Sequence, residues 1–365
     1  SKEQPPQKET KNTIKEAASA PEKPVISDIK FEPLHKPSPG GSSFTRWFTD
    51  KENKTEWIGK CSVYSVCYHD EYDEYKEFLA SRIYELFGVK VPKTILSKQY
   101  LEEKLQQDQQ WKNCRGINQL RLHIFSQVVP GFELLGESFV QDYKTSSKKN
   151  KKELFRIGVG KVPLRGFGRV MAVAVLTQDY DFIGNSGRNI GYIPVENGKY
   201  FEILKIDPGE ALALAQHIRD ATNLQNPLKN RGAVFGTLGG RIDYNELNEI
   251  DQKEFVQTLQ EILEVKPSKL KEIFSPFFEL NSNFRIAFEE FLNRRQQFLF
   301  FFVNEVRNLI TLQIMKIEKQ QADKHALEWG KPPTLLISEM EKKTELLRNK
   351  AQLEAFAVAE GSNSE

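Results

Sequence analysis

Residues 190–207 read IGYIPVENGKYFEILKID, two runs of β-forming residues joined at Asn197-Gly198. An Asn-Gly pair between two such runs is the strongest short-range signal for a hairpin. With Asn197 and Gly198 as the two loop residues, cross-strand partners have residue numbers that sum to about 395. Asn189, just ahead of the first strand, then lies beside Ile206 and Asp207 at the end of the second. An amide oxygen and a carboxylate are thereby brought together at the open end of one hairpin. Hard oxygen donors of this kind suit magnesium, which keeps its other positions for water and phosphate. An Asn and an Asp that place metal on nucleotide phosphates form one part of a phosphoryl-transfer site.

Working outward, Val170 to Leu176 (VMAVAVL) is continuously apolar and fits a buried helix that leads into the polar stretch Thr177 to Asn189. Asp179 and Asp181 stand in that stretch, and either could accept or orient the proton of a substrate hydroxyl. Further upstream, Lys60 lies in a strand pattern and Glu77 on the helix that follows it. A strand lysine paired to a helix glutamate fixes an ammonium on the α- and β-phosphates of a nucleotide. Taken alone, the pair reads better as a surface lysine and an unrelated glutamate.

The segment from Phe44 to Tyr68 is β-patterned, with DKENK as the turn between FTRWF and EWIGKCSVYSVCY. A helix is expected over Glu71 to Phe87, with Phe78, Leu79, Ile83, Leu86 and Phe87 on one face and Gly88 ending it. Val91 to Leu96 reads as a strand, Lys98 to Trp111 as a polar helix, and Leu120 to Val129 as a further strand. Residues 144–152 read as an exposed basic loop. From about Glu249 the pattern is helical, and Phe298 to Val303 (FLFFFV) reads as core helix. Residues 1–40, rich in Lys, Glu, Pro, Gln and Ser, are expected to form a disordered arm or linker.

The chain has 365 residues, 39 % of them hydrophobic, which suffices for one large core or two medium ones. A formal net charge of +2 does not by itself point to a polyanionic partner. No aromatic-basic RNA motif or zinc finger accompanies the basic stretches, so no nucleic acid is expected. Three cysteines, Cys61, Cys67 and Cys114, cannot build a disulfide framework, and a cytosolic, reducing environment fits them. Cys61, Cys67 and His69 match no standard zinc spacing. No apolar run follows a basic start, so no standard signal peptide is expected, and no stretch reaches membrane-spanning length.

WIGK followed by EYKEFLASRIYELFGVKVPKT resembles the N-lobe of the HipA-like atypical kinases, whose fold is shared with phosphoinositide kinases. In that family a strand Lys precedes a helix of the form E-x-x-A-S-x-x-Y, which sets Lys60 and Glu77 on the nucleotide-anchoring pair. FSQVVPGFELLG (Phe125 to Gly136) is similar to the segment joining the lobes, which implies adenine contact by the backbone of Gln127 and Val128. DYDFIGNSGRNIGYI resembles the catalytic loop, with Asn189 at the metal-binding Asn, and KIDPGEAL resembles the second metal motif, with Asp207 as its acid. The family usually places its catalytic Asp five residues before the Asn. Here that position is Gly184, so the resemblance implies a loop insertion with Asp181 acting and Asp179 in reserve, or else a missing base.

The expected fold is thus α+β, a two-lobed atypical protein-kinase-like fold with a small β-rich N-lobe and a mainly helical C-lobe. Its expected divisions are the arm (1–40), N-lobe and hinge (41–136), C-lobe (137–320) and a C-terminal helical extension (321–365). The resemblance implies ATP with Mg2+ or Mn2+, and a kinase acting on a protein Ser/Thr hydroxyl or a phosphoinositide headgroup. The alternative is a pseudokinase scaffold, or another ATP-dependent modifier that carries out AMPylation or glutamylation. It is most similar to the secreted effector kinases of intracellular bacterial pathogens, which implies a host protein or lipid as substrate and secretion without a standard signal. The basic stretches within 144–169, including Lys161, Arg165 and Arg169, suit an inositol phosphate or an anionic lipid.

Overall fold

In the computed structural model, Tyr200 pairs with Val195 and Lys205 with Ile190, the register expected for residues 190–207. The loop is one pair wider than expected: Glu196 to Lys199 form it, closed by the Gly198 N–H on the Val195 carbonyl at 3.1 Å. The structure describes residues 26–39, 44–68, 70–100, 120–145, 156–157, 162–179, 181–184, 187–212, 214, 233–235, 241–243, 247–296, 311 and 314–321.

The first sheet consists of β1 (Phe31–Pro33), β2 (Phe44–Asp50), β3 (Glu56–Cys61), β4 (Thr94–Tyr100) and β5 (Leu120–Gln127), in the order β1-β2-β3-β5-β4. Alternation divides its faces. Leu96, Leu122 and Ile124 turn toward α2 (Tyr72–Leu86) and join the main core. Phe31, Phe48, Trp57 and Phe125 make a separate aromatic cluster on the opposite face. The β1 strand corrects the expected arm. Phe31 is buried and stacks on Phe125 with ring centroids 3.9 Å apart, so Phe31–Pro33 belong to the sheet, and Ile26 bridges to Leu96. Polar neighbours hide this single anchoring ring from a composition-based reading.

A second correction concerns the run after Lys60. The strand stops at Cys61, and Val63–Tyr68 form a short helix, α1. The Ser62 hydroxyl accepts the Ser65 N–H at 3.0 Å, an N-cap that outweighs the β-forming Val, Tyr and Cys content. The strand expected over Val91 to Leu96 begins and ends later, at Thr94 and Tyr100. Tyr100 pairs with Leu120, so the expected helix from Lys98 does not start there, and the rest of it lies outside the described residues.

The second sheet consists of β6 (Glu133–Leu134), β7 (Arg156–Ile157), β8 (Val162–Arg165), β9 (Ile190–Val195) and β10 (Tyr200–Lys205), in the order β6-β9-β10-β8-β7. Helix α3 (Gly136–Thr145) follows β6 and was not anticipated; it takes in the start of the expected loop at Lys144. Helix α4 (Phe167–Thr177) is the expected buried apolar helix. Behind it pack α5 (Glu249–Glu264), α6 (Pro267–Phe274) and α7 (283–296). The fold is α+β, a β-rich first lobe and a mainly helical second one. The main core runs without a break from α2 into α4, α5 and α6. Tyr75 and Phe78 of α2 lie edge-on or tilted against Phe277, and Tyr72 meets Phe284 at 4.8 Å between ring centroids. The FLFFFV run and the C-terminal extension from 322 onward lie outside the described residues. Among the described residues, no helix is long and apolar enough to cross a membrane.

The α4–α5 crossing depends on Gly168. A Cβ there would stand 1.9 Å from the Asp251 carbonyl oxygen, so the two helices approach as closely as backbones can. Gly168→Ala must push them apart, and we expect a loss of about 2 kcal/mol. A lower denaturant midpoint with an unchanged slope checks it.

Candidate active site

The central feature is an ammonium between two carboxylates. Lys60 projects from β3, and its Nζ lies 2.8 Å from Glu77 Oε2 on α2 and 2.6 Å from Asp207 Oδ1 just beyond β10. Burial works against the Lys60 charge, but the Asp207 and Glu77 carboxylates more than reverse this and raise its pKa. Burial lifts Glu77, with Lys60 opposing. For Asp207, whose side chain is 45 % exposed, burial also pushes upward, but Lys60 prevails and holds the carboxyl below its usual range. Asp207 is thus the ionised member that faces solvent. It adopts a left-handed backbone with φ of 46°, uncommon for a residue other than glycine.

Gly209 completes this corner. A Cβ there would lie 3.2 Å from Asp207 Oδ1, Glu77 Oε2 and Lys60 Nζ alike. Its role was not singled out in the sequence, although an Asp followed two residues later by Gly was there to be read.

Asn189 is held at the same end of the hairpin. Its carbonyl accepts the Ile206 N–H at 3.1 Å, which sets it one residue from Asp207 across the strand ends. The Asn189 Nδ2 donates to the Asp181 carbonyl at 2.8 Å and to Asp181 Oδ2 at 3.0 Å. A side-chain amide has two donor hydrogens and one acceptor oxygen. With both hydrogens directed to Asp181, the acceptor oxygen is the group of the amide that remains.

The two aspartates of the loop have different surroundings. Asp179 is buried: its Oδ2 accepts the Tyr84 hydroxyl at 2.8 Å and lies 3.2 Å from Lys205 Nζ. Asp181 is half-buried, and its carboxyl is pushed up to about 6 by burial first and then by the charge of Asp179. Tyr84 is the Tyr of the E-x-x-A-S-x-x-Y helix, and Lys205 stands in no motif. A lone lysine within a strand pattern carries no local sign that it will be buried.

The joining segment is tied to its neighbours through two backbone donors. The Gln127 N–H donates to the Lys93 carbonyl and the Val128 N–H to the Glu56 carbonyl, both at 2.9 Å. Neither N–H is open to an adenine, because both serve the pairing of this segment with its neighbours. The first backbone donor beyond them without a partner among the described residues is that of Val129.

The basic stretch is largely neutralised where it is described. Arg169 donates to Glu261 and to the Phe87 carbonyl, and the Arg165 guanidinium lies 3.9 Å over the Tyr200 ring. Both line a cavity of about 190 Å³ together with Lys90, Glu202 and Glu254, where Lys90 pairs with Glu202 at 2.6 Å. Lys161 and residues 146–155 lie outside the described residues, as does His69. Cys61 is buried.

Compared with known protein families and with curated proteins, the sequence matches none. Among solved structures, a proinflammatory kinase of Helicobacter pylori, CtkA, is similar with a TM-score of 0.43 at 13 % sequence identity, covering 72 % of this chain and 94 % of that one.

One turn before Glu77, α2 carries a second buried acid. Glu74 Oε1 accepts the Ser62 N–H at 2.5 Å, while Oε2 is buried with no hydrogen-bond partner among the described residues. Burial raises its carboxyl to about 7. A carboxyl raised on folding gives stability that is complete below its unfolded value, near 4.5, and is lost as pH climbs through about 7. Glu74→Gln mimics the protonated form. We expect it to be close to neutral at pH 5 and to stabilise the fold by about 2 kcal/mol at pH 8, read from denaturant melts at the two pH values.

Proposed function

We propose that the chain is an ATP- and divalent-metal-dependent phosphotransferase acting on a hydroxyl. The observation that carries this reading is the Lys60 ammonium bonded to both Glu77 and Asp207, with Asn189 fixed one residue from Asp207. Two hard oxygen donors, that of Asp207 on a half-exposed side chain, fit Mg2+ or Mn2+, which take a few protein ligands and leave the rest to phosphate and water. A divalent ion bound by Asn189 and Asp207 would neutralise charge developing on the transferred phosphoryl group. Lys60, steadied by Glu77, would meet the α- and β-phosphate oxygens and orient them. The lobe-joining segment would receive the adenine, with the Val129 N–H as its donor.

Asp181 is the residue suited to the substrate hydroxyl. Half-buried, with Asn189 fixing its orientation, it can take the hydroxyl proton as the substrate oxygen bonds to the γ-phosphorus. The bond from that phosphorus to the β–γ bridging oxygen breaks, and ADP leaves with its electron pair. Asp179 is too enclosed for this work.

The test is incubation with γ-labelled ATP, Mg2+, a protein mixture and phosphoinositide vesicles, with α-labelled ATP in parallel. Transfer of γ-label to protein or lipid, lost by about 100-fold or more in Asp181→Asn, supports the proposal. Label in lipid alone assigns a headgroup hydroxyl, and label in protein alone a side-chain hydroxyl. Transfer of α-label would mean AMPylation and overturn it, as would the absence of any transfer.

A further inference from the structure

Lys205 is fully buried, and its ammonium faces four oxygen atoms. It donates to the carbonyls of Asn189 at 3.3 Å, Ile206 at 2.9 Å and Asp207 at 3.2 Å, and lies 3.2 Å from Asp179 Oδ2. The same Asp179 oxygen accepts the hydroxyl of Tyr84, which is itself buried. Tyr84 stands two turns after Glu77 on α2 and therefore on the same side of that helix. The Lys205 N–H also bonds to the Lys90 carbonyl at 2.9 Å, which ties β10 to the segment leaving α2.

A buried ion pair is weak evidence for stability, because desolvating both charges offsets their attraction. What this pair does instead is touch the backbone of both residues assigned to the metal. Asp207 in particular holds a left-handed conformation that an L-residue seldom adopts unaided, and the Lys205 ammonium grips its carbonyl. From this geometry we infer that Tyr84, Asp179 and Lys205 form a buried clamp that positions Asn189 and Asp207 for the divalent cation. Asp179 is then a positioning residue that acts through Lys205 and does not receive the substrate proton. The clamp also makes α2 a common support, presenting Glu77 to Lys60 at one point and Tyr84 to Asp179 two turns on. This inference rests on the metal-dependent reading of the same corner, and the test separates the two.

The test is a titration of Mn2+ into the protein with a non-hydrolysable ATP analogue, followed by electron paramagnetic resonance. Lys205→Met alone would leave Asp179 as a buried unpaired charge, so it is combined with Asp179→Asn. That double variant removes the clamp and both charges together. Tyr84→Phe removes one hydroxyl and keeps the ring. We expect Mn2+ affinity to fall by about 10-fold in the double variant and about threefold in Tyr84→Phe, in keeping with the loss of outer-shell partners of metal ligands. In Asp179→Asn, raising the Mn2+ concentration should restore much of kcat. A base would give the opposite split: unchanged Mn2+ affinity and a kcat that no metal concentration recovers. Unchanged affinity in Tyr84→Phe and in a folded double variant overturns the clamp. If the double variant does not fold, unchanged affinity in Tyr84→Phe alone overturns it. If the unaltered protein binds no Mn2+ with nucleotide, the metal-dependent reading itself fails, and the clamp with it.

Discussion

Asp207→Asn is expected to reduce transfer from ATP about 1,000-fold while the protein stays folded. Asparagine tolerates the left-handed backbone at φ of 46°, so the chain need not rearrange. It also retains an oxygen at the same place, and what disappears is the negative charge. Lys60, no longer shared, keeps Glu77 as its partner at 2.8 Å, so little stability should be lost. Steady-state transfer assays with thermal melts of the same preparations check both halves. A variant that melts like the parent and turns over within threefold of it would show that the carboxylate does no chemistry.

The second large effect is at Lys60. Lys60→Met should also remove about 1,000-fold in transfer, because the phosphates lose their orienting cation. Unlike the Asp207 change, it should cost stability, about 3 kcal/mol, because Glu77 is left buried beside a second carboxylate with no cation between them. Asp207 is half exposed and can be served by water. The cost therefore falls on Glu77, and Lys60→Met combined with Glu77→Gln should recover most of the stability and none of the activity. Double-mutant analysis of unfolding, run beside the transfer assay, separates the two roles.

The hairpin was legible because strand alternation and Asn-Gly turn chemistry are both local, and they agree with each other. The buried helix Phe167–Thr177 was legible as a core element from its apolar stretch Val170 to Leu176, although seven apolar residues would also suit a buried strand. Lys60 and Glu77 were identified by motif, and the structure brings them to 2.8 Å. What escaped was set by distant partners. Whether the Gln127 and Val128 N–H groups are open depends on Lys93 and Glu56, which no reading of FSQVVPG alone reveals. Phe31 needed Phe125 to become a strand anchor, and a polar surrounding argued against it. Lys205 is a lysine in a strand until Asp179, Tyr84 and three carbonyls close around it. By contrast, the helix at Val63–Tyr68 was within reach, since Ser62 offered the cap that ends the strand.

The most direct measurement is a calorimetric titration of ATP into the protein with and without Mg2+, repeated on Asn189→Ala and on Asp207→Asn. Binding that strengthens at least tenfold with Mg2+ in the parent, and loses that gain in both variants, is the predicted result. An affinity for ATP that ignores the metal in the parent, or a metal gain that survives both substitutions, would contradict a shared cation at the end of the hairpin.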